Sequence, residues 1–163
     1  DELLHKTFIK ISKIKPLKVI HQTNEANINT LKNLYLKNKV ENIVFEFDQN
    51  LYRLLSQADL CITRAGASSL AEIASLKLPF IAIPLPTSKD NHQFQNAKYY
   101  ENKNCCWIID QNNFNQLKLE DLLLDILKNG DDFIKKKNNL ENLNYQNTWN
   151  SVNQNLLKII NEN

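Results

Sequence analysis

Short apolar runs of strand length alternate along this chain with segments whose apolar residues recur every three or four positions. Lys18 to Gln22, Ile43 to Phe47, Leu60 to Thr63, Pro79 to Pro84 and Cys105 to Ile109 are the runs that predict strands. Between them, Ile28 to Asn38, Leu51 to Gln57, Ser69 to Lys77 and His92 to Asn102 carry helical spacing, as in Leu51, Leu54 and Leu55 or Leu70, Ile73 and Ala74. Leu117 to Asn129 and Asp131 to Leu143 also read as helices. A closing helix is expected over about 148–161, with Trp149, Val152, Leu156 and Ile160 on one side. Such alternation predicts an α/β fold, a Rossmann-like parallel sheet with helices on both faces. Glu2 to Lys13 reads as a helix with no strand ahead of it, whereas a doubly wound half-domain opens on a strand and a glycine-rich turn. Leu3, Leu4, Phe8, Ile9 and Ile11 offer apolar surface that a sheet should cover, so the first strand is expected to be missing from the chain.

Composition narrows the classes. With 163 residues, 42% hydrophobic and 23% charged, the whole of 1–163 has the balance of one globular domain. The net charge of +2 comes from 20 basic and 18 acidic residues spread along the chain, which gives no basic stripe and argues against a nucleic-acid partner. Apolar stretches such as Phe80 to Leu85 fall far short of the roughly 20 residues of a membrane-spanning helix. The start, Asp1 to Lys6, lacks the basic-then-apolar layout of a signal peptide, so a cytosolic location is expected. Cys61, Cys105 and Cys106 show no C-x-x-C spacing and read as reduced core thiols, with no metal or cofactor expected.

The segment Asp59 to Glu72 carries the most chemistry. A buried strand breaks through a small-residue turn into a helix, and one of the two glycines of the chain, Gly66, lies in that turn. Lacking Cβ, glycine permits positive φ and close approach of a ligand to the backbone. A helix starting near Ser69 would aim free N–H groups and its positive dipole end at an anion, which suggests a phosphate or diphosphate site. Ser69-x-x-Glu72 has two readings: a capping box that explains both residues locally, or a carboxylate placed to accept hydrogen bonds from ribose hydroxyls.

A second polar group, Lys89 to Asn96, follows the strand ending near Ile83, at the carboxyl edge where open α/β sheets bind ligands. Asp90 reads either as the N-cap of a solvated first turn or, with His92 and Gln93, as part of a set suited to sugar hydroxyls. His21 to Asn24 also ends a strand. His21 could serve as a general base, but no carboxylate or nucleophile lies at a telling spacing. Phe45 to Asp48 combines two core aromatics with a turn that could offer backbone groups to a base edge.

Taken together, Ala58 to Ala74, Leu78-Pro79, Ile83-Pro84, Asp90-Asn91-His92-Gln93 and Asn96-Ala97 resemble the carboxyl-terminal half of the MurG-type glycosyltransferases. These are the bacterial UDP-N-acetylglucosamine:undecaprenyl-diphospho-muramoyl-pentapeptide N-acetylglucosaminyltransferases. The resemblance runs from about Asp1 to the end, with His21-Gln22-Thr23 and Phe45 to Asp48 in the expected order. It implies one half of a GT-B enzyme of peptidoglycan synthesis, in which this half binds UDP-N-acetylglucosamine. The other half, absent from this chain, would bind the lipid-linked acceptor at the cytoplasmic face of the bacterial inner membrane.

By that resemblance Glu72 holds the ribose, Ala67, Ser68 and Ser69 face the diphosphate, the main chain at Asp48 meets the uracil, and Gln93 meets the donor sugar. Arg64, Gly66, Leu70, Ala71, Asp90 and His92 complete the implied UDP-sugar-binding set. The reaction would be inverting attack by the muramyl 4-hydroxyl on the anomeric carbon, converting lipid I to lipid II with UDP leaving. No catalytic residue is assigned to this chain, which alone should not catalyse transfer. Three departures stand out: a Gly-Gly-Ser-Gln-Gly turn expected just before Asp1 is absent, His92 stands where some members carry glutamine, and Asn24 replaces a glycine. Asparagine tolerates left-handed φ, so the turn at Asn24 can survive. Other readings are a single-domain donor-binding subunit that needs a separate membrane subunit, a UDP-sugar transferase with a different acceptor, and a non-catalytic nucleotide-sugar-binding or structural module in which Glu72 only caps its helix.

Overall fold

The computed structural model describes residues 2–143. In chain order it contains α1 (Glu2–Ser12), β1 (Lys18–Gln22), α2 (Glu25–Lys37), β2 (Glu41–Phe45), α3 (Leu51–Leu55), β3 (Cys61–Thr63) and α4 (Ala67–Ser75). There follow β4 (Phe80–Ala82), α5 (His92–Glu101), β5 (Cys106–Ile108), α6 (Gln116–Lys128) and α7 (Gly130–Glu141). All strand pairs are parallel, and helices cover both faces, as the alternating pattern predicts. The expected closing helix at about 148–161 lies outside the described residues.

The single sheet of the sequence reading is two ladders here. β1 pairs with β2, in register from Lys18 opposite Glu41 to Gln22 opposite Phe45. β3, β4 and β5 form the second ladder, with Cys61 opposite Phe80 and Phe80 opposite Cys106. No backbone ladder joins β1 to β3 among the described residues. Side chains make the connection instead: Phe8 of α1 and Leu17 pack into the core beneath β1 and β2 and also into the core beside β4.

β4 is buried at every residue and divides two cores by simple alternation. Phe80 and Ala82 face a core built with α4, α5 and α7, which includes Leu70, Ile73, Ala97, Tyr100 and Leu140. Ile81 and Ile83 face the opposite side, where Ile11 of α1 and Leu119 and Leu123 of α6 cover them. The third core lies over the first ladder, with Val19, Val44, Leu31 and the fully buried Tyr35. Cys105 and Cys106 are buried free thiols and Cys61 a half-buried one, and burial pushes the Cys106 thiol up to about 12. They behave as the small core residues expected of them.

Two polar clusters tie helices to this frame. The Lys136 ammonium on α7 is buried over the Trp107 ring, 4.8 Å from its centroid, and donates to Asn104 Oδ1 at 2.6 Å. Asp132 lies 3.4 Å from Lys136 and also accepts from the Trp107 indole N–H at 2.9 Å. Asn104 itself has φ of 53°, and its carbonyl accepts from Asn139. Across the molecule, the buried carboxylate of Glu120 on α6 accepts from Lys10 of α1 and from Gln116. The Lys10 hydrogen bond holds that carboxyl below the usual range.

The histidine considered at the end of β1 is a core group. His21 is 6% exposed, its Nδ1 forms a 2.8 Å hydrogen bond with the Tyr35 hydroxyl, and the Phe8 ring meets it edge-on. Burial lowers it from the ordinary value to about 4, with His5 nearby adding to the effect. A site closed to solvent on this scale does not suit a general base. Asn24 next to it does not adopt the left-handed conformation. It is an extended N-cap at φ −70°, and its side chain accepts from the Asn27 N–H, so asparagine serves α2 as an ordinary cap.

Folded His21 is neutral down to about pH 4, whereas an unfolded histidine titrates near about 6.5. Above that range its contribution to stability is complete. As pH falls from about 6.5 toward about 4 the unfolded state binds a proton that the folded state refuses, which removes roughly 3 kcal/mol of stability. Urea midpoints measured from about pH 7.5 to about pH 4.5 should drop accordingly in the wild type and fall less steeply in His21→Asn. At the other cluster, Asn104→Ala should cost about 2 to 3 kcal/mol in chemical denaturation, since alanine resists positive φ and cannot accept from Lys136. Asn104→Gly should lose less, because it restores the backbone but not the acceptor.

Candidate functional site

The loops leaving β3, β4 and β5 meet at the carboxyl edge of the second ladder. β3 ends at Thr63, and the chain passes through Arg64, Ala65 and Gly66 into α4, which begins at Ala67 rather than near Ser69. Gly66 is the N-cap, extended at φ −65° and ψ 137°, with no side chain capping the helix. Positive φ is therefore not what the glycine supplies. A Cβ at Gly66 would meet only Ser69 Oγ at 3.6 Å, an ordinary contact. The capping-box reading falls with the shifted start: Ser69 is the third helical residue, not the cap, and Glu72 lies beyond the first turn.

The first helical bond runs from Leu70 N–H to the Gly66 carbonyl at 2.9 Å. The amides of Ala67, Ser68 and Ser69 precede it and have no carbonyl within the helix to meet. All three residues are exposed, as are Ala71 and Glu72. No hydrogen bond or ion pair engages the Glu72 carboxylate among the described residues. Leu70 is fully buried, so its side chain anchors α4 to the core and takes no place on the exposed edge.

Side chains rather than strand pairing hold the turn in front of α4. Gln93 Oε1 on α5 accepts from two backbone amides, Leu85 N–H at 3.0 Å and Ala65 N–H at 3.3 Å. Asn96, one turn further along α5, donates to the Ala65 carbonyl at 3.0 Å. Arg64 is exposed, and its guanidinium donates to the Ile83 carbonyl at 3.1 Å and to Gln111 Oε1. Arg64 thereby links the ends of β3 and β4 to the short 3-10 turn Gln111–Asn113 after β5. Gln111 carried no signal in the sequence, because its partner lies 47 positions away.

The loop before α5 is bent by backbone conformation. Asp90 (φ 50°) and Asn91 (φ 54°) are both left-handed, and the N-cap of α5 is Asn91, not Asp90. Asp90 sits inside a 3-10 turn, Lys89–Asn91, whose first carbonyl accepts from His92 Nδ1 at 2.7 Å. With Nδ1 donating, the exposed His92 ring keeps Nε2 as the atom facing outward chemistry. Asp90 is exposed and Gln93 half-buried with its amide nitrogen still available.

Asp48 belongs to the other ladder, in the loop after β2, and accepts from the Asn50 N–H at 2.7 Å in a tight local turn. Phe47 beside it is 75% exposed, so the expectation that both Phe45 and Phe47 pack in the core holds at most for half-buried Phe45. Of the residues singled out by sequence, Gln93 is brought by a hydrogen bond to Ala65, which lies in the chain between Arg64 and Gly66 and just ahead of the first turn of α4. Asp90 and His92 adjoin them through the turn before α5, and Asp48 stands on the other ladder's carboxyl side.

Comparison with known proteins gives this arrangement a lineage. Residues 2–154 match the model of the glycosyltransferase family 28 C-terminal domain. A protein of Pelagibacter ubique named UDP-N-acetylglucosamine–N-acetylmuramyl-(pentapeptide) pyrophosphoryl-undecaprenol N-acetylglucosamine transferase is 39% identical over the whole chain, which covers 46% of that protein. The protein of the same name from a Wolbachia of Drosophila simulans is 38% identical over 82% of the chain and 39% of its own length. The crystal structure of Acinetobacter baumannii MurG superposes with a TM-score of 0.72 at 24% identity, covering 85% of this chain and 41% of that one. The chain thus spans less than half the length of these curated relatives, and its parallel α/β architecture is that of one half of a GT-B enzyme. With the family model covering nearly all of it and a relative this similar along its full length, the chain belongs to glycosyltransferase family 28, as a C-terminal domain of that family.

Proposed function

We propose that this chain is the donor-binding half of an inverting N-acetylglucosaminyltransferase. The transferase would carry N-acetylglucosamine from UDP-N-acetylglucosamine to the 4-hydroxyl of a lipid-linked muramoyl-pentapeptide. The observation that carries the reading is the uncapped start of α4: exposed residues Ala67, Ser68 and Ser69 with free first-turn amides, no side-chain cap, and a glycine at the N-cap whose missing side chain nothing among the described residues requires. A diphosphate is the ligand such a turn suits, because it answers several N–H donors and the positive end of the helix dipole at once.

On this reading Glu72, whose carboxylate has no partner among the described residues, accepts from the ribose hydroxyls. The main chain at Asp48, on the carboxyl side of the other ladder, faces the uracil. Gln93 uses Oε1 to hold the turn and keeps Nε2 for the sugar, and His92 presents Nε2 to the same hydroxyls. Gly66, Leu70 and Ala71 act through the shape of the turn and its anchoring, Arg64 by joining the loops, and Asp90 by setting the bend before α5. As the glycosidic bond to UDP breaks, negative charge grows on the diphosphate, where fixed amides stabilise it without reorganising. The general base and the acceptor site belong to the rest of the enzyme. No helix among the described residues is long and apolar enough to cross a membrane, and on this reading attachment at the cytoplasmic face belongs to the other half.

Titration with UDP-N-acetylglucosamine followed by two-dimensional NMR tests the reading. Saturable shifts are expected at Gly66 to Glu72 and at Asp90 to Gln93, and Glu72→Ala should weaken binding on the order of 10- to 100-fold, the loss expected for hydrogen bonds to a carboxylate. A dispersed spectrum indifferent to the ligand would leave Glu72 as a solvated helix residue and remove the donor site from this chain.

A further inference from the structure

Asn96 lies in the polar segment Lys89 to Asn96, and its position in the fold is specific. Ala65 is fully buried, and both of its backbone polar groups are held by one face of α5. Gln93 Oε1 takes the N–H, and Asn96 Nδ2 serves the carbonyl at 3.0 Å. The two side chains are three positions apart and so project from the same side of the helix.

A peptide unit is planar, with its C=O and N–H pointing in opposite directions. The Ala65 carbonyl and the Gly66 N–H share one such plane. Asn96, by holding the carbonyl toward α5, directs the Gly66 N–H away from α5. Gly66 has the broadest conformational freedom of any residue type, so the peptide ahead of it is the one most prone to rotate when nothing holds it. The Gly66 N–H has no protein acceptor among the described residues, like the amides of Ala67, Ser68 and Ser69 that follow it.

We propose that Asn96 is a positioning residue for the anion-binding turn: by fixing the Ala65–Gly66 peptide it aims the Gly66 N–H, with the three amides of the first turn of α4, at the diphosphate of a nucleotide. The proposal rests on the donor-site reading above. It assigns Asn96 an effect on the phosphate end of the ligand, reached through the backbone, and none on the sugar.

The test measures affinity for UDP and for UDP-N-acetylglucosamine by calorimetry on the full chain, in the wild type, Asn96→Ala and Asn96→Leu. Leucine keeps the bulk of asparagine without its donor. Both variants should lose about five- to tenfold for both ligands alike, the scale of one mispositioned hydrogen-bond donor. Without ligand, the amide resonances of Ala65, Gly66 and Ala67 should move in both variants. Loss confined to UDP-N-acetylglucosamine would make Asn96 a sugar contact and overturn the proposal. Unchanged UDP affinity, even with a lowered melting temperature, would reduce Asn96 to a structural residue and overturn it equally. A wild type that binds neither nucleotide while folded would instead strike at the donor-site reading, and the proposal would fall with it.

Discussion

The burial of β4 is the constraint on which the rest of the structure depends. None of its residues faces solvent, so every backbone N–H and C=O must find a partner inside the protein. β3 and β5 supply these on either side, and the pairing continues past the strand ends through Ile83 N–H to the Thr63 carbonyl and Ile109 N–H to the Ala82 carbonyl. Alternation along β4 then requires an apolar layer on each face, met by α4, α5 and α7 on one side and by α1 and α6 on the other. With both faces covered, the edges remain for function. The carboxyl edge is where the small-residue turn before α4 and the polar turn before α5 emerge side by side.

That edge is built from side chains that join one loop to another. Arg64, Gln93 and Asn96 each direct polar atoms at backbone groups of a different loop, and they replace the ladder that ends at Thr63 and Ala82. The distinction between engaged and available atoms organises the site. Gln93 Oε1 and the Arg64 guanidinium are engaged; the Glu72 carboxylate, the Gln93 amide nitrogen and the first amides of α4 are available. A residue type chosen by sequence for ligand chemistry can therefore divide its atoms, with one holding the frame and the other facing outward, as Gln93 does.

Much of this was legible because hydrophobic periodicity is local. The five strands and the helices between them appear where alternation and three-four spacing predict, and Lys18 to Gln22 agrees to the residue. β2 begins earlier than its apolar run, at Glu41 and Asn42, because a ladder pairs backbone and does not require apolar side chains there. The apolar spacing places the start of α4 near Ser69, two residues later than Ala67, because Ala65 to Ser69 contains no large apolar residue to mark a helical phase. One of the two readings of Asp90 makes it the N-cap, and left-handed φ at two successive residues passes that role to Asn91. The division of the sheet, and the contacts of Asn96 and Gln111, depend on pairings tens of residues apart. No local window holds that information.

The charge pattern follows from the same economy. On the proposed donor-site reading, a chain with net charge +2 and no basic stripe meets its dianionic ligand by some means other than a cluster of lysines. Lysine side chains would also lose conformational entropy when ordered around a ligand. Backbone amides at the start of a helix avoid that loss, since folding has already fixed them, but they are useful only if their directions are fixed too. In a turn containing glycine that direction is the weak point. The hydrogen bonds from α5 to both polar groups of Ala65 act there, so on the proposed reading the packing of α5 beside α4 in the core governs how the backbone at the carboxyl edge meets an anion.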